Sequence, residues 1–165
     1  MGATGQLAAL AAVHGLLARA GIDYWLFGGW AVDFHVGAVT RAHDDVDIAV
    51  WLDDAPRIGE LLAGDGWRHA PEPGEDGGTG YQREGVRLEL TYLVRGADGG
   101  IATPLRGSEA RWPDGAFGDE AGELQGTVAR LLGLDALREG KSRPRDAPAD
   151  AAKDRADAER LPRRG

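Results

Sequence analysis

The chain has 165 residues, of which 42% are hydrophobic and 28% charged, a composition that allows a packed core and excludes global disorder. It has no cysteine, which excludes disulfides, thiolate metal sites and a cysteine nucleophile and agrees with a cytoplasmic protein. The net charge of −8, from 19 basic and 27 acidic residues, disfavours binding to a nucleic-acid duplex. It favours a cationic small molecule as ligand, with the alternative that the charge only maintains solubility.

The first half of the chain is predicted to alternate helices and short strands. Leu7, Leu10, Val13 and Leu17 recur at helical spacing and predict an amphipathic helix over residues 5–20, not a signal peptide. Apolar runs, glycine breaks and β-branched residues then predict a strand over 24–27, a helix over 30–36, a polar loop over 38–44, a strand over 46–51 and a third helix capped by Asp53.

The second half is predicted to consist mostly of strands. Trp67 begins a third strand, and the glycine- and proline-rich segment 71–80 predicts a loop or a hairpin connection. No regular element is predicted for residues 96–120. The remaining predictions are an antiparallel pair over 81–83 and 86–94, one more strand over 126–132, a short helix over 135–139 and a charged helix over 147–161. The order of elements indicates an α+β domain with a mixed sheet.

Asp45 and Asp47 stand at the start of the predicted strand 46–51. Side chains alternate between the two faces of a strand, so the two carboxylates point the same way while Val46 points into the core. Two like charges held together repel each other unless a cation neutralises them, and Mg²⁺ is bound in proteins by one or two carboxylates plus substrate phosphates. The pair indicates a metal site, with an exposed acidic strand start as the alternative.

Gly28 and Gly29 lie between a predicted strand and a predicted helix. Glycine lets backbone N–H groups approach a ligand closely, and a helix N-terminus carries partial positive charge, so this turn is suited to phosphate. An ordinary strand-to-helix turn is the alternative. Thr40, Arg41 and His43 precede the acidic pair, where Arg41 and Thr40 are suited to triphosphate oxygens and His43 either contacts phosphate or caps the loop.

Glu89 lies on a strand face opposite Leu88 and Leu90. If its strand pairs beside the strand of Asp45 and Asp47, Glu89 joins the carboxylates and completes the metal site or acts as general base on an attacking hydroxyl. The alternative is a solvent-facing residue paired with a nearby arginine, either Arg87 or Arg83.

The run GGWAVDFHVGAVTRAHDDVDI, residues 28–48, resembles the signature of the small antibiotic nucleotidyltransferases of the DNA polymerase β-like superfamily. Aminoglycoside 2''-adenylyltransferases and short lincosamide nucleotidyltransferases are the most similar groups. The strong match covers about residues 24–51 and a looser one extends to about residue 95. The resemblance implies a nucleotidyltransferase fold in one domain over 1–165, with a catalytic core over about 20–95 and a C-terminal extension over about 120–165.

The resemblance also implies the chemistry and the roles of residues. The activity would be transfer of a nucleoside monophosphate, from ATP or another NTP with two Mg²⁺ ions, to an acceptor hydroxyl. The implied metal and catalytic residues are Asp45, Asp47 and Glu89. The implied nucleotide-binding residues are Gly28, Gly29, Thr40, Arg41, His43 and Lys141, the last matched by position to a lysine before the C-terminal helix of the lincosamide group, where residues 153–157 also resemble a KDxxD element.

The acceptor is where the resemblance is weakest. Glu89 replaces an acid that is often Asp in the family, and the C-terminal half has few of the aromatic residues that usually build an acceptor pocket. Acidic walls suited to a cationic aminoglycoside would include Asp33, Glu84 and Asp119, although Asp33 is equally a cap or structural acid. The alternatives are a lincosamide acceptor, a protein-modifying or antitoxin-type partner of the same fold, and a catalytically degenerate nucleotide-binding module. Neither nucleic acid nor membrane is expected as a partner, and the chain is expected to be a monomer or homodimer.

Overall fold

The computed structural model describes residues 2–142 and 148–162, which fold into an α+β architecture. The first helix ends where Gly21 adopts a left-handed conformation (φ 70°), and the second begins directly at the glycine pair. The helices are α1 Ala3–Ala20, α2 Gly28–Val36, α3 Ala55–Gly64, α4 Leu134–Ser142 and α5 Pro148–Arg160, with a 3₁₀ turn over Leu52–Asp54. The strands are β1 Trp25–Phe27, β2 Val46–Trp51, β3 Arg68–His69, β4 Gly78–Arg83, β5 Val86–Arg95, β6 Ile101–Leu105, β7 Ser108–Arg111, β8 Ala121–Leu124 and β9 Thr127–Arg130.

The main sheet is mixed, as the sequence predicts. Its strands follow the order β1-β2-β5-β4-β3, and the β6–β7 hairpin continues from the end of β5. The β2–β5 pair is parallel and the other pairs of this sheet are antiparallel. Strands β8 and β9 form a separate two-stranded sheet.

The two faces of the main sheet have different environments. Val46, Ile48 and Val50 of β2 belong to the main hydrophobic core, together with buried residues of α1, α2 and α3. Asp47 and Ala49 alternate to the opposite face, where Ala49 packs with Trp25 and Leu93 in a second, smaller cluster. Helices α1–α3 therefore cover one face, and the Asp47 face remains for the site.

Segment 71–80 is not wholly the predicted connection, because β4 begins at Gly78. Gly78, Thr79 and Gly80 pair with the middle of β5. A Cβ atom added at Gly78 would lie 2.0 Å from the carbonyl oxygen of Leu90, so this close strand pairing requires glycine. The glycines that predict a loop are the residues that allow the ladder.

Three further details differ from the sequence-based predictions. The turn-rich stretch 96–120 contains the β6–β7 hairpin. The predicted strand 126–132 is present as β9, but it forms a hairpin with β8, which was not predicted, and the hairpin turns at Gln125 and Gly126 with positive φ at both residues. The N-cap of α3 is Asp54, while Asp53 lies in the preceding 3₁₀ turn. Within the described residues, no helix is both long and apolar enough to traverse a bilayer.

Candidate active site

Asp47 and Glu89 occupy neighbouring positions on the sheet. Asp47 of β2 is the direct register partner of Glu89 of β5, and on its other side Asp47 pairs with Phe27 of β1. Since partner residues in a ladder point to the same face, Glu89 lies on the face of Asp47. The strand adjacency that the Glu89 prediction requires is therefore present, and the glycine turn follows Phe27 directly.

A cavity of about 570 Å³ opens beside these residues. Asp45 and Asp47 line it together with the glycine turn and three residues of the preceding loop, whereas Glu89 lies outside its lining. Its other walls come from the end of the β6–β7 hairpin and from α4 and α5. The lining residues are Phe27, Gly28, Gly29, Arg41, His43, Asp44, Asp45, Asp47, Ala110, Arg111, Trp112, Pro113, Leu132, Ala136, Leu137, Gly140, Lys153 and Asp154.

The glycine turn is in close contact with the functional side chains. Gly28 has φ +70°, and a Cβ atom there would lie 2.5 Å from Oδ2 of Asp47. A Cβ atom at Gly29 would lie 2.5 Å from Nδ1 of His43 and 2.6 Å from Nη2 of Arg41. Any side chain at either position would displace these groups, so both glycines are required by close approach.

Asp33 anchors the loop that precedes β2. Its side chain is fully buried; one carboxylate oxygen accepts a hydrogen bond from the Thr40 hydroxyl, and the other lies 2.6 Å from Nε2 of His43. The backbone carbonyl of His43 accepts a hydrogen bond of 2.8 Å from Nε2 of Gln6, and the His43 ring packs 4.6 Å from the Trp30 ring. This geometry favours the structural reading of Asp33, which is buried and lies outside the cavity lining.

The same geometry also involves Thr40. Its hydroxyl bonds to Asp33, and its oxygen also accepts a hydrogen bond of 3.3 Å from Nη1 of Arg160. Thr40 lies outside the cavity lining and holds the loop. His43 anchors the loop and also lines the cavity, and its contact with phosphate stays a prediction.

Arg41 is bound to the C-terminal helix. Nε and Nη2 of Arg41 donate to the two carboxylate oxygens of Asp157, each at 3.0 Å, and this hydrogen bonding to Asp157 raises the pKa of Arg41. Asp157 is fully buried. Lys153, one turn earlier in α5, donates to Oδ2 of Asp44 at 3.0 Å and thereby lowers the pKa of that exposed carboxyl. Lys153 and Asp154 thus line the cavity and Asp157 holds Arg41; the predicted site omitted all three, although they belong to the KDxxD pattern.

Glu89 is held by an arginine of its own strand. Nε of Arg87 donates to Oε1 of Glu89. Burial raises the pKa of Glu89, and the charges of Asp45 and Glu72 add to this effect while Arg87 opposes it. In the described part of the chain, no three acidic or histidine side chains are grouped closely enough to hold one metal ion together. The carboxylates of Asp45, Asp47 and Glu89 therefore do not form a ready three-ligand metal site in this structure, in which Glu89 is bonded to Arg87.

The remaining predicted residues lie away from the cavity or outside the description. Glu84 is in the β4–β5 turn with φ 50°, and Asp119 forms an ion pair of 3.3 Å with Arg130; neither residue lines the cavity. Lys141 belongs to α4, but its side chain lies outside the described residues. Its assignment to the nucleotide stays a prediction.

Trp112 forms an aromatic wall that the sequence did not predict. It follows β7, lines the cavity and packs its ring 5.6 Å from that of Phe27 at an angle of 79°. Its indole Nε1 donates to the Thr103 hydroxyl at 2.9 Å, which fixes the ring orientation. Because 96–120 predicts only turns, no periodic pattern places this residue near Asp47.

Comparison with known proteins identifies the family. The profile of the aminoglycoside-2''-adenylyltransferase family matches residues 9–161. The chain belongs to this family. The matched range includes the glycine turn, the three acids and helix α5, so the aminoglycoside-2''-adenylyltransferase profile covers all parts of the candidate site.

Individual relatives of the family are more distant. A 2''-aminoglycoside nucleotidyltransferase of Escherichia coli and one of Klebsiella pneumoniae are each 43% identical over 54 residues, which is 31% of this chain and 29% of the relative. The chain therefore aligns with less than a third of the length of these curated relatives. The 2''-aminoglycoside activity in their names belongs to those proteins.

Solved structures confirm the nucleotidyltransferase fold of this family member. The solution structure of the antibiotic-resistance factor ANT(2'')-Ia superposes with a TM-score of 0.73 at 20% identity, over 94% of this chain and 83% of that chain. A crystal structure of ANT(2'')-Ia with adenylyl-2''-tobramycin gives 0.72 at 20% identity, over 93% and 87%. The lincosamide adenylyltransferase LnuA, lincomycin-bound, gives 0.72 at 19% identity, over 92% and 93%.

Proposed function

We propose that this chain transfers a nucleoside monophosphate, AMP from ATP in the simplest case, to a hydroxyl of an aminoglycoside and releases pyrophosphate. The observation that carries the proposal is the placement of Asp47. Its carboxylate lies against the glycine turn of Gly28 inside the cavity, within a chain of the aminoglycoside-2''-adenylyltransferase family. This arrangement sets a carboxylate next to backbone N–H groups suited to phosphate.

The chain offers a phosphate-binding side to the cavity. Gly28 and Gly29 form the first turn of α2, where backbone N–H groups have no partner within the helix. Arg41 and Lys153 line the same cavity and add positive charge. These groups would bind and orient the triphosphate, which is the main task of a protein in phosphoryl-type transfer.

The acidic residues fit Mg²⁺ by their chemistry and position. Asp45 and Asp47 present carboxylate oxygens to the cavity, and Mg²⁺ prefers such ligands together with phosphate oxygens. When bound there, Mg²⁺ supplies neutralisation of the phosphate charge and alignment of the α-phosphorus. Glu89, beside Asp47 in the sheet, would accept the proton of the attacking hydroxyl and complete the ligand set of a second ion.

The acceptor proposal is supported by charge. The side chain of Asp44 at the cavity is 86% exposed, although it pairs with Lys153, and the net charge of the chain is −8, which favours attraction of a polycationic aminoglycoside. In this proposal, Asp44 and Asp45 replace Asp33, Glu84 and Asp119 as the acidic residues on the acceptor side of the cavity. We propose that the activity takes place in the cytoplasm, where ATP and Mg²⁺ are supplied. We also propose a single domain over 1–165, because residues of α4 and α5 line the same cavity as residues of the core.

An acceptor panel tests the function. Purified protein with Mg²⁺ and ATP is incubated with aminoglycosides, with lincosamides or with no acceptor, and pyrophosphate release is measured. We expect release with aminoglycosides only. Pyrophosphate release with lincosamides alone would indicate that the acceptor is a lincosamide. Bound ATP without release on any acceptor would favour a protein substrate or a degenerate binding module.

Two matched variants test the site. Asp47→Asn is expected to lower kcat by at least about 1,000-fold while the circular dichroism spectrum stays unchanged, because the isosteric amide removes only the charge. Asp53→Asn, a change of the same type in the exposed 3₁₀ turn after β2, is expected to leave kcat within about twofold. Near-normal turnover of the Asp47 variant would remove Asp47 from the mechanism.

A further inference from the structure

The Arg87 guanidinium contacts Glu89, the third acid of the site, and two further groups. Its side chain leaves β5 two residues before Glu89, so the two side chains share one face of the sheet. Nε donates to Oε1 of Glu89, Nη1 donates to the carbonyl oxygen of Ala70 at 3.0 Å, and the Glu72 carboxylate lies 3.3 Å from Nε. The Arg87 side chain is only 15% exposed, so the guanidinium is fixed in place.

The neighbouring strand leaves room for this guanidinium. Gly80 of β4 is the register partner of Glu89, and a Cβ atom at Gly80 would lie 2.1 Å from Nη2 of Arg87. Nη2 is buried and has no hydrogen-bond partner among the described residues. The absence of a side chain at Gly80 therefore allows the Arg87 guanidinium to lie against the backbone of β4, beside Glu89.

We propose that Arg87 is a positioning residue that holds the Glu89 carboxylate and competes with a divalent cation for it. The inference rests on the proposed function, in which Asp45, Asp47 and Glu89 bind the metal. An oxygen that accepts the Nε hydrogen bond is less available as a ligand, and the guanidinium charge opposes a second cation nearby. Glu89 is thereby kept in a defined orientation but is released to metal only in competition with Arg87.

Metal binding without turnover measures this competition. Mn²⁺ replaces Mg²⁺, and free Mn²⁺ is determined by electron paramagnetic resonance on the full chain. Arg87→Gln keeps most of the side-chain volume, and we expect it to bind Mn²⁺ about fivefold more tightly than the unmodified protein, because the competing charge is gone. Arg87→Ala is the second variant and should shift affinity in the same direction. Unchanged affinity in whichever of these variants folds would overturn the proposal.

A double-mutant cycle shows whether the effect passes through Glu89. In a Glu89→Gln background the Arg87→Gln change should alter Mn²⁺ affinity by less than about twofold, because the carboxylate that Arg87 contests has been removed. A gain that persists in this background would indicate general electrostatics and would contradict the competition. Arg83→Ala is the matched control, since it removes one positive charge from the adjacent strand, where Arg83 pairs with Asp65; its affinity should equal that of the unmodified protein.

Kinetics separate positioning from a structural role. Arg87→Gln should lower kcat about tenfold and leave the KM for ATP within about twofold, since Glu89 loses its orientation while the triphosphate side is untouched. A rise in KM with unchanged kcat would contradict the assignment. If the unmodified protein transfers no nucleotide but the Mn²⁺ cycle behaves as expected, the proposed function fails and this inference stands. If the protein transfers nucleotide but Mn²⁺ affinity shows no coupling between Arg87 and Glu89, the proposed function stands and this inference fails.

Discussion

Arg41 and Asp157 form a two-point ion pair that joins the loop before β2 to the C-terminal helix. Two nitrogens of the guanidinium donate to both carboxylate oxygens at 3.0 Å, across 116 positions in the chain. Asp157 is fully buried, whereas Arg41 reaches the cavity with 21% of its side chain exposed. The position of α5 therefore determines where the Arg41 charge lies at the cavity.

Replacing Asp157 with Asn should affect both stability and nucleotide affinity. The change leaves the Arg41 charge without its counter-ion, which we expect to lower the free energy of unfolding by about 2 to 3 kcal/mol. The KM for ATP should rise about tenfold as Arg41 loses its orientation. Urea denaturation and initial-rate kinetics measure the two effects. Glu60→Gln, in the exposed pair with Arg57, should change stability by less than about 0.5 kcal/mol. An equal effect of both changes would contradict a special role for the Asp157 pair.

Gly28 and Gly21 provide a matched test of the glycine turn. Both residues have φ +70°, but a Cβ atom at Gly21 meets nothing within 4 Å, whereas one at Gly28 meets the Asp47 carboxylate. Each change to Ala should cost about 1 kcal/mol of stability from backbone strain. Only Gly28→Ala should also weaken Mn²⁺ binding, by at least about tenfold, because Asp47 must move. Equal Mn²⁺ affinities of the two variants would show that the contact with Asp47 has no role.

Trp112 is expected to shape the binding cavity. Trp112→Ala removes an aromatic wall beside Phe27, and we expect the KM for ATP or for the acceptor to rise about tenfold. Trp112→Phe keeps a ring in the wall and loses only the hydrogen bond to Thr103, so its effect should stay below about threefold. Unchanged KM values for both substrates in the Ala variant would exclude Trp112 from the site.

Tyr24 gives a pH dependence with a defined sign. Burial raises the pKa of its hydroxyl from 10.0 to about 12, and the hydroxyl is within 2.6 Å of Nδ1 of His14 and accepts from the Arg130 amide. Above pH 10 the unfolded chain loses this proton while the folded chain retains it. The contribution of Tyr24 to stability is therefore complete below about pH 10 and is lost as pH rises toward 12, by at most about 3 kcal/mol.

Denaturation at two pH values tests this dependence. The free energy of unfolding is measured at pH 9 and pH 11 for the unmodified protein and for Tyr24→Phe. The decrease between the two pH values should be smaller in the variant by about 1 kcal/mol, since phenylalanine has no proton to lose. An identical decrease in both proteins would show that Tyr24 titrates normally.

Much of the candidate site follows from local sequence. The two-residue spacing of Asp45 and Asp47 at the start of a β-branched strand predicts their shared orientation, and both line the cavity. The glycine pair at the start of a helix is equally a local pattern. The β6–β7 hairpin has no comparable signal, because its strands are four and five residues long and Pro104 interrupts the apolar pattern.

The residues that meet these acids depend on contacts between distant segments. Strand periodicity assigns Glu89 to one face, but only the parallel pairing of β2 with β5 sets it beside Asp47. Spacing alone leaves Glu89 either a site residue or the partner of a nearby arginine, Arg87 or Arg83. The structure shows the bond to Arg87, for which Gly80 on the next strand leaves space, and the site role of Glu89 stays a prediction.

The sequence alone determined the family signature, the α+β class and the orientation of the acidic pair, since these depend on residues within one or two turns of each other. Only the tertiary structure decided that Asp33 is a buried anchor, that Arg41 is bound by Asp157 and that Glu89 is held by Arg87. The physical reason is that alternation along a strand sets which way a side chain points, whereas its partner is set by strand order and helix packing, which no local pattern encodes.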